Sequence, residues 1–249
     1  MFIDTHLHFN KEEAPKIVRD AHSNGVGILI VSGCDKKGIV DVLEIIKYFD
    51  NVYATIGFHP SEVLDVTDED IEWLENIVTN NNKIIGIGEI GLDYYYGKET
   101  RNKQIELFDK QLKLAEKLNF PVVIHTRDAF LDTYETLKKY KLKGIIHCFS
   151  GSTEVANQYL NLGYCLGIGG VVTFKNSNLP SVIEKISLEN IVLETDSPYL
   201  APVPYRGETN SPKNIPIIAE KIAEIKKIST KEVENITYNN VLRIFDLDV

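Results

Sequence analysis

The chain is poor in cysteine, with only Cys34, Cys148 and Cys165 in 249 residues. The number is odd and no two stand in a C-x-x-C spacing, which argues against a disulfide framework or a thiolate zinc site and fits a reducing compartment. Positive charge is also in deficit. Lysine and arginine total 27 against 36 aspartates and glutamates, a formal net charge of -9. A broad basic face for wrapping nucleic acid is thereby excluded, and any contact with a polyanion must be local. No apolar run reaches membrane-spanning length, and the opening Met1-Phe2-Ile3-Asp4-Thr5-His6 lacks the basic and apolar regions of a secretory leader. A cytoplasmic protein without membrane contact is expected. No Gly/Ser linker, low-complexity tract or composition shift marks a boundary, so residues 1–249 read as one domain.

Hydrophobic residues at 43% and charged residues at 25% provide material for a substantial core and argue against disorder. Eight short segments rich in Val, Ile, Gly and Tyr recur: Phe2 to Phe9, Gly25 to Gly33, Val52 to Phe58, Ile84 to Gly91, Phe120 to Thr126, Gly144 to Phe149, Tyr164 to Gly169 and Ile191 to Thr195. Between them lie stretches with helical spacing. In Lys103 to Leu118, for example, Ile105, Leu107, Phe108, Leu112, Ala115 and Leu118 fall mostly on one face. Alternation of this kind implies parallel strands with helical crossovers. Eight units favour a single (βα)8 TIM-type barrel of the α/β class over a doubly wound open sheet. Ser229 and Glu232 form a capping-box pattern that starts an additional C-terminal helix, Ser229 to Phe245, expected to pack outside the barrel.

His6 and His8, two residues apart in an apolar strand, direct both imidazoles to one face. The same end of other strands carries Glu89 (strand four), His125 (five), His147 (six) and Asp196 (eight), and in barrels this rim holds the active site. Six unrelated buried polar groups would each need a separate partner. Gathered together, four imidazoles and two carboxylates are too many for one four-coordinate ion, so two divalent cations are expected. The donor chemistry suits zinc, manganese, nickel or, more weakly, magnesium. His59, in Gly57-Phe58-His59-Pro60, also reaches the rim, whereas His22 reads as a surface residue of the first helix. Asp4 and Glu194 share strand faces with His6 and Asp196, where they either buttress the ligands or make structural hydrogen bonds.

These stretches, in this order, resemble the TatD-type metal-dependent deoxyribonucleases of the amidohydrolase-like barrel superfamily. The resemblance runs through Asp4-Thr5-His6-Leu7-His8, Gly57 to Pro60, Gly88-Glu89-Ile90-Gly91-Leu92-Asp93-Tyr94, Pro121 to Ala129, His147 to Gly151, and Glu194 to Pro202. Arg206 to Pro212 resembles the family's R-G-x-x-N-x-P loop. The resemblance implies that His6, His8, Glu89 and Asp196 hold one metal, that Glu89, His125 and His147 hold the other, and that Glu89 bridges them.

Two divalent ions make such a site electropositive, lower the pKa of a bound water and neutralise a transition-state oxyanion, which suits phosphodiester hydrolysis. Asp196 is the candidate to orient or deprotonate the attacking water, and His59 to contact phosphate or assist the leaving group. Lys98, Arg101, Arg127, Lys175 and Arg206 lie near strand ends, with Arg127 and Arg206 the foremost phosphate contacts. Tyr94, Tyr95 and Tyr96 offer a ring for base stacking, with Tyr94 assigned to the substrate. A recessed site on an acidic protein suits exonuclease-like trimming of single-stranded or frayed DNA. Cleavage from the 3′ end is what the resemblance implies, and no obligatory protein partner is implied.

Two rivals use the same barrel. A small-molecule amidohydrolase or esterase commonly bridges its metals with a carboxylated lysine on strand four, where this chain has Glu89. A non-catalytic module would close the coordination instead of leaving a position for water.

Overall fold

Valine and isoleucine dominate the strand segments, because a branched Cβ suits a pleated surface buried on both faces. The structure is a computed structural model and describes residues 1–248. Its first half runs β1 Phe2–Leu7, α1 Ala14–Ser23, β2 Val26–Gly33, α2 Lys36–Tyr48, β3 Val52–Ile56, α3 Asp68–Thr79, β4 Ile84–Asp93, the single turn α4 Tyr94–Gly97, and α5 Arg101–Leu118. The second half runs β5 Val122–Arg127, α6 Phe130–Leu137, β6 Gly144–Ile146, α7 Thr153–Asn161, β7 Tyr164–Ile168, α8 Leu179–Lys185, β8 Ile191–Leu193, α9 Ile215–Lys226 and α10 Thr230–Phe245. Each strand pairs in parallel with the next, in the order β1 to β8.

The barrel closes where β1 meets the chain leaving β8, which removes the exposed edges of an open sheet. Asp196 N–H donates to His6 O at 2.9 Å and His8 N–H to Ser197 O at 2.7 Å. Asp4 reinforces this seam: its carboxylate accepts from Thr195 N–H at 2.9 Å and from the Thr195 hydroxyl at 2.5 Å. Burial pushes the Asp4 carboxyl up to about 8 against these hydrogen bonds. Of the two roles open to Asp4, the structural one is observed.

Apolar burial divides into two layers. The larger lies between strands and helices, where α5 contributes Leu107, Phe108, Leu112 and Ala115. The smaller fills the barrel interior and draws on every strand, from Ile3, Ile28 and Ile30 through Tyr53, Ile85, Val123, Ile145 and Cys165 to Val192. Val241, Ile244 and Phe245 belong to this inner cluster, which corrects the expected placement of the C-terminal helix. The capping box forms as read, with Ser229 Oγ accepting from Glu232 N–H and Glu232 Oε2 from Ser229 N–H. The last turns of α10, however, close the end of the barrel opposite the ligand rim. The interior needs an apolar floor at that end, and the end of α10 supplies it.

Several elements depart from their expected limits. α5 begins at Arg101 instead of Lys103, while β6 and β8 stop short of His147 and Asp196. Past these strand ends Cys148 and Asp196 take φ of 47° and 54°, so the backbone turns out of the sheet as it delivers each ligand to the rim. His22 is exposed on α1, as expected. No helix among the described residues is long and apolar enough to cross a membrane.

Because Phe245 is 5% exposed within the inner cluster, Phe245→Ala is expected to cost about 3 kcal/mol of stability through a cavity at the barrel floor. Urea unfolding followed by circular dichroism reads this loss, and a cost below about 1 kcal/mol would contradict the floor role.

Candidate metal centre

Five of the six histidines converge on one carboxylate. Glu89, buried in β4, has Oε1 at 2.6 Å from His125 Nδ1, 3.8 Å from His147 Nε2 and 3.9 Å from His59 Nε2. Its Oε2 faces the other side, 3.3 Å from His6 Nε2 and 3.8 Å from His8 Nε2. One carboxylate thus presents a separate oxygen to each of two donor groups. Asp196 Oδ1 stands beside both, 3.7 Å from His8, 4.0 Å from His6 and 3.8 Å from His147. All six residues named from the sequence as ligands are therefore brought together.

The donor chemistry fits divalent cations. His8 Nδ1 lies 3.2 Å from the Ser32 carbonyl oxygen, an obligate acceptor, so Nδ1 carries the proton and Nε2 presents a lone pair. That lone pair faces His6 Nε2 at 3.1 Å and two carboxylate oxygens. Ligands placed tetrahedrally around a zinc-like ion lie roughly 3.4 Å apart, close to these separations. Converging lone pairs repel one another unless positive charge sits among them.

A second layer positions the rings. His125 Nε2 is 3.1 Å from Asp93 Oδ2, and Asp93 also accepts from Tyr95 N–H and Tyr96 N–H to start α4. Glu194, fully buried, places Oε1 3.1 Å from His147 Nδ1, off the line of a good hydrogen bond, and accepts from Cys148 N–H. Gly167 on β7 makes this possible, since a Cβ there would overlap the Glu194 carboxylate. Glu194 thus takes the buttressing role that Asp4 does not. Carboxylate–imidazole contacts of this kind fix ring orientation at metal sites.

The electrostatics follow the same contacts. Burial works to raise Glu89, but the imidazoles of His147, His125 and His6 overcome it and hold the carboxyl well below its usual range. Burial likewise opposes protonation of His125 and His147, yet Asp93 and Glu89 bring the first up to about 9, while Glu194, Glu89 and Asp196 bring the second up to about 10. Burial lowers His6 to about 4 and His59 to about 4, and pushes Asp196 up to about 6.

The expected substrate contacts divide. Arg127 and Arg206 are exposed at the rim, each with its guanidinium over an aromatic face: Arg127 at 3.9 Å over Tyr95, Arg206 at 3.8 Å over Phe174. Lys98 and Lys175 are exposed. Arg101 instead forms a two-pronged pair with Asp132, at 2.7 and 2.8 Å. Tyr94 is also corrected: its hydroxyl donates to Asp132 at 2.7 Å and its ring packs against the core. Tyr95 and Tyr96, 57% and 75% exposed, are the rings open to a base. Two site residues escaped the sequence reading. Asp93 stands in the stretch Gly88 to Tyr94, where its spacing of four from Glu89 was the available signal. Cys34 gave none, yet its thiol donates to Glu89 Oε2 at 3.6 Å.

Comparison with known proteins agrees over the full length. The family profile described as TatD related DNase matches residues 3–246. The metal-dependent hydrolase YabD of Bacillus subtilis is 38% identical over 256 residues, covering all of both chains. The metal-dependent hydrolase YcfH of Escherichia coli K12 is 32% identical over 257 residues, covering 99% of this chain and 96% of that protein. The crystal structure of YjjV, a TatD homologue from Escherichia coli K12, superposes with a TM-score of 0.94 at 29% identity and covers 99% of this chain and 98% of its own.

Because His125 and His147 hold protons beside carboxylates well above neutrality, cation uptake must displace them. Calorimetric titration with Mn²⁺ in buffers of different ionisation heat is expected to show release of about two protons at pH 7, with affinity rising from pH 6 to pH 9. Uptake without proton release would contradict this arrangement. Asp93→Asn is expected to weaken Mn²⁺ binding about tenfold or more by freeing the His125 ring.

Proposed function

This chain belongs to the TatD related DNase family and is a metal-dependent hydrolase, and from that premise we propose that its rim site hydrolyses DNA phosphodiester bonds, trimming single-stranded or frayed ends from the 3′ side. The observation that carries the reading is Glu89, whose two oxygens face two separate donor groups. His6, His8, Glu89 and Asp196 would hold one divalent ion, and Glu89, His125 and His147 a second, with magnesium, manganese and zinc the candidates. Bound there, such ions supply charge that polarises a phosphoryl group and acidifies water.

The remaining roles belong to the chain. Asp196 sits at the outer edge of the cluster, less buried than Glu89 and beside both donor groups, where it orients the attacking water and accepts its proton. His59 Nδ1 accepts from Ser61 N–H at 3.1 Å, so the proton resides on Nε2, which points toward the cluster. His59 is therefore suited to donate a hydrogen bond to a phosphoryl or leaving oxygen, and unsuited to act as a base. Arg127 and Arg206 neutralise flanking phosphates locally, which reconciles a net charge of -9 with a polyanionic substrate. Tyr95 and Tyr96 offer faces on which a base stacks irrespective of identity.

Incubation with end-labelled single-stranded DNA and magnesium or manganese, with a chelator control, tests the reading. Cleavage is expected with metal, abolished by chelation and by Glu89→Ala. Asp196→Asn is expected to lower kcat about 100-fold or more, and normal turnover in that variant would remove Asp196 from its role. DNA left intact under every metal while amides or lactones are hydrolysed would replace the nuclease reading with the amidohydrolase one.

A further inference from the structure

A cavity of about 250 Å³ opens beside the metal cluster, between the turn Pro60–Glu62 after β3 and the chain from Tyr94 to Thr100 after β4. His59 and Asp93 line both the cavity and the cluster: His59 Nε2 lies 3.9 Å from Glu89 Oε1, and Asp93 contacts His125. A group seated in the cavity would therefore belong to a nucleotide attached to the phosphate under attack. We propose that this cavity seats the unstacked nucleobase of that nucleotide. The proposal rests on the nuclease reading and adds to it a base-binding subsite.

Charge, size and wall chemistry select the occupant. Among the described lining residues there is no lysine or arginine, and Asp93 and Glu99 bring negative charge, so a phosphate is repelled and an uncharged group is favoured. The volume falls below the roughly 300 Å³ at which pockets for drug-sized ligands begin, which suits one base and excludes a dinucleotide. Leu64 and the ring of Tyr96, 64% and 75% exposed, provide apolar surface.

Most polar groups of the wall are already engaged, the exposed Glu99 carboxylate and Tyr96 hydroxyl excepted. Gln104 donates to Asp93 O, Gly97 O and Thr100 Oγ1, Thr100 donates to Gly97 O, and the Ser61 hydroxyl lies 2.8 Å from His59 Nδ1 and 2.9 Å from Glu62 Oε1. Few donors or acceptors remain to read base edges, so the seat accepts every base. Entry requires the base to leave its stack, which costs little at a frayed end or in a single strand and several kcal/mol within a duplex. Preference for ends follows from the cavity itself.

Single-stranded oligonucleotides that differ only in the residue at the attacked end test the proposal: the four natural bases, and a tetrahydrofuran abasic residue in place of a base. With manganese, the four bases are expected to give kcat/KM within a few-fold of one another, and the abasic end a value about tenfold lower. Leu64→Trp, which crowds the cavity, and Tyr96→Ala, which removes a wall, are expected to bring the base-to-abasic ratio toward one. Both side chains are exposed, and the ratio remains readable whatever the absolute rate. A ratio of one in the unaltered protein, or a ratio undiminished in both variants, overturns the base seat while leaving the nuclease reading in place. If neither kind of end is cut with magnesium or manganese, the nuclease reading fails and the base seat fails with it.

Discussion

A buried carboxylate surrounded by imidazoles is the constraint on which the rest of this structure depends. Glu89 has five ring nitrogens within 4.0 Å, and a carboxylate so far out of water is tolerated only with positive charge close by. Protons on His125 and His147 supply that charge in one state of the site, and divalent cations are suited to supply it in another. The surrounding carboxylates follow from the same need. Asp93 holds the outer nitrogen of the His125 ring by a hydrogen bond and Glu194 packs 3.1 Å from that of His147, so the donors meet at one place with little freedom to turn aside.

A closed barrel makes such crowding possible. The six donors come from five strands or strand ends, and the seam formed by Asp4, Thr195, His6 and Asp196 holds the first and last of them in register. Stability and chemistry occupy opposite ends of the molecule. At one end α10 floors the barrel with Val241, Ile244 and Phe245. At the other the strands run out into loops bearing ligands, arginines and exposed tyrosines. Polar groups that would be costly in the floor are sustained at the rim by each other and by water.

Under the proposed nuclease reading, an acidic hydrolase needs positive charge only where the substrate rests. Arg127 and Arg206 provide it at the rim, each spread over an aromatic ring, while Arg101 is consumed by Asp132. In the proposed reading, the acidic cavity beside His59 completes the pattern by refusing phosphate and leaving room for a base. Under that reading, these features would position one strand end and discriminate weakly among sequences.

Much of this was legible in the linear chain because it depends on local period and residue type. Strand and helix alternation follows from apolar spacing, the capping box at Ser229 is a four-residue pattern, and His6 with His8 must share a face because strand side chains alternate. The cluster of six candidate ligands was therefore within reach. Contacts between elements distant in sequence were not. Whether Arg101 meets a phosphate or Asp132, whether Tyr94 faces solvent or folds under its loop, and whether α10 lies beside the barrel or beneath it depend on which surfaces become neighbours. Cys34 reached Glu89, and Asp93 reached His125, only through closure of the barrel. The sequence by itself determined the element order and the identity of the donors; the tertiary structure decided the partners, because a side chain's charge, hydrogen bonds and burial are set by what packs against it.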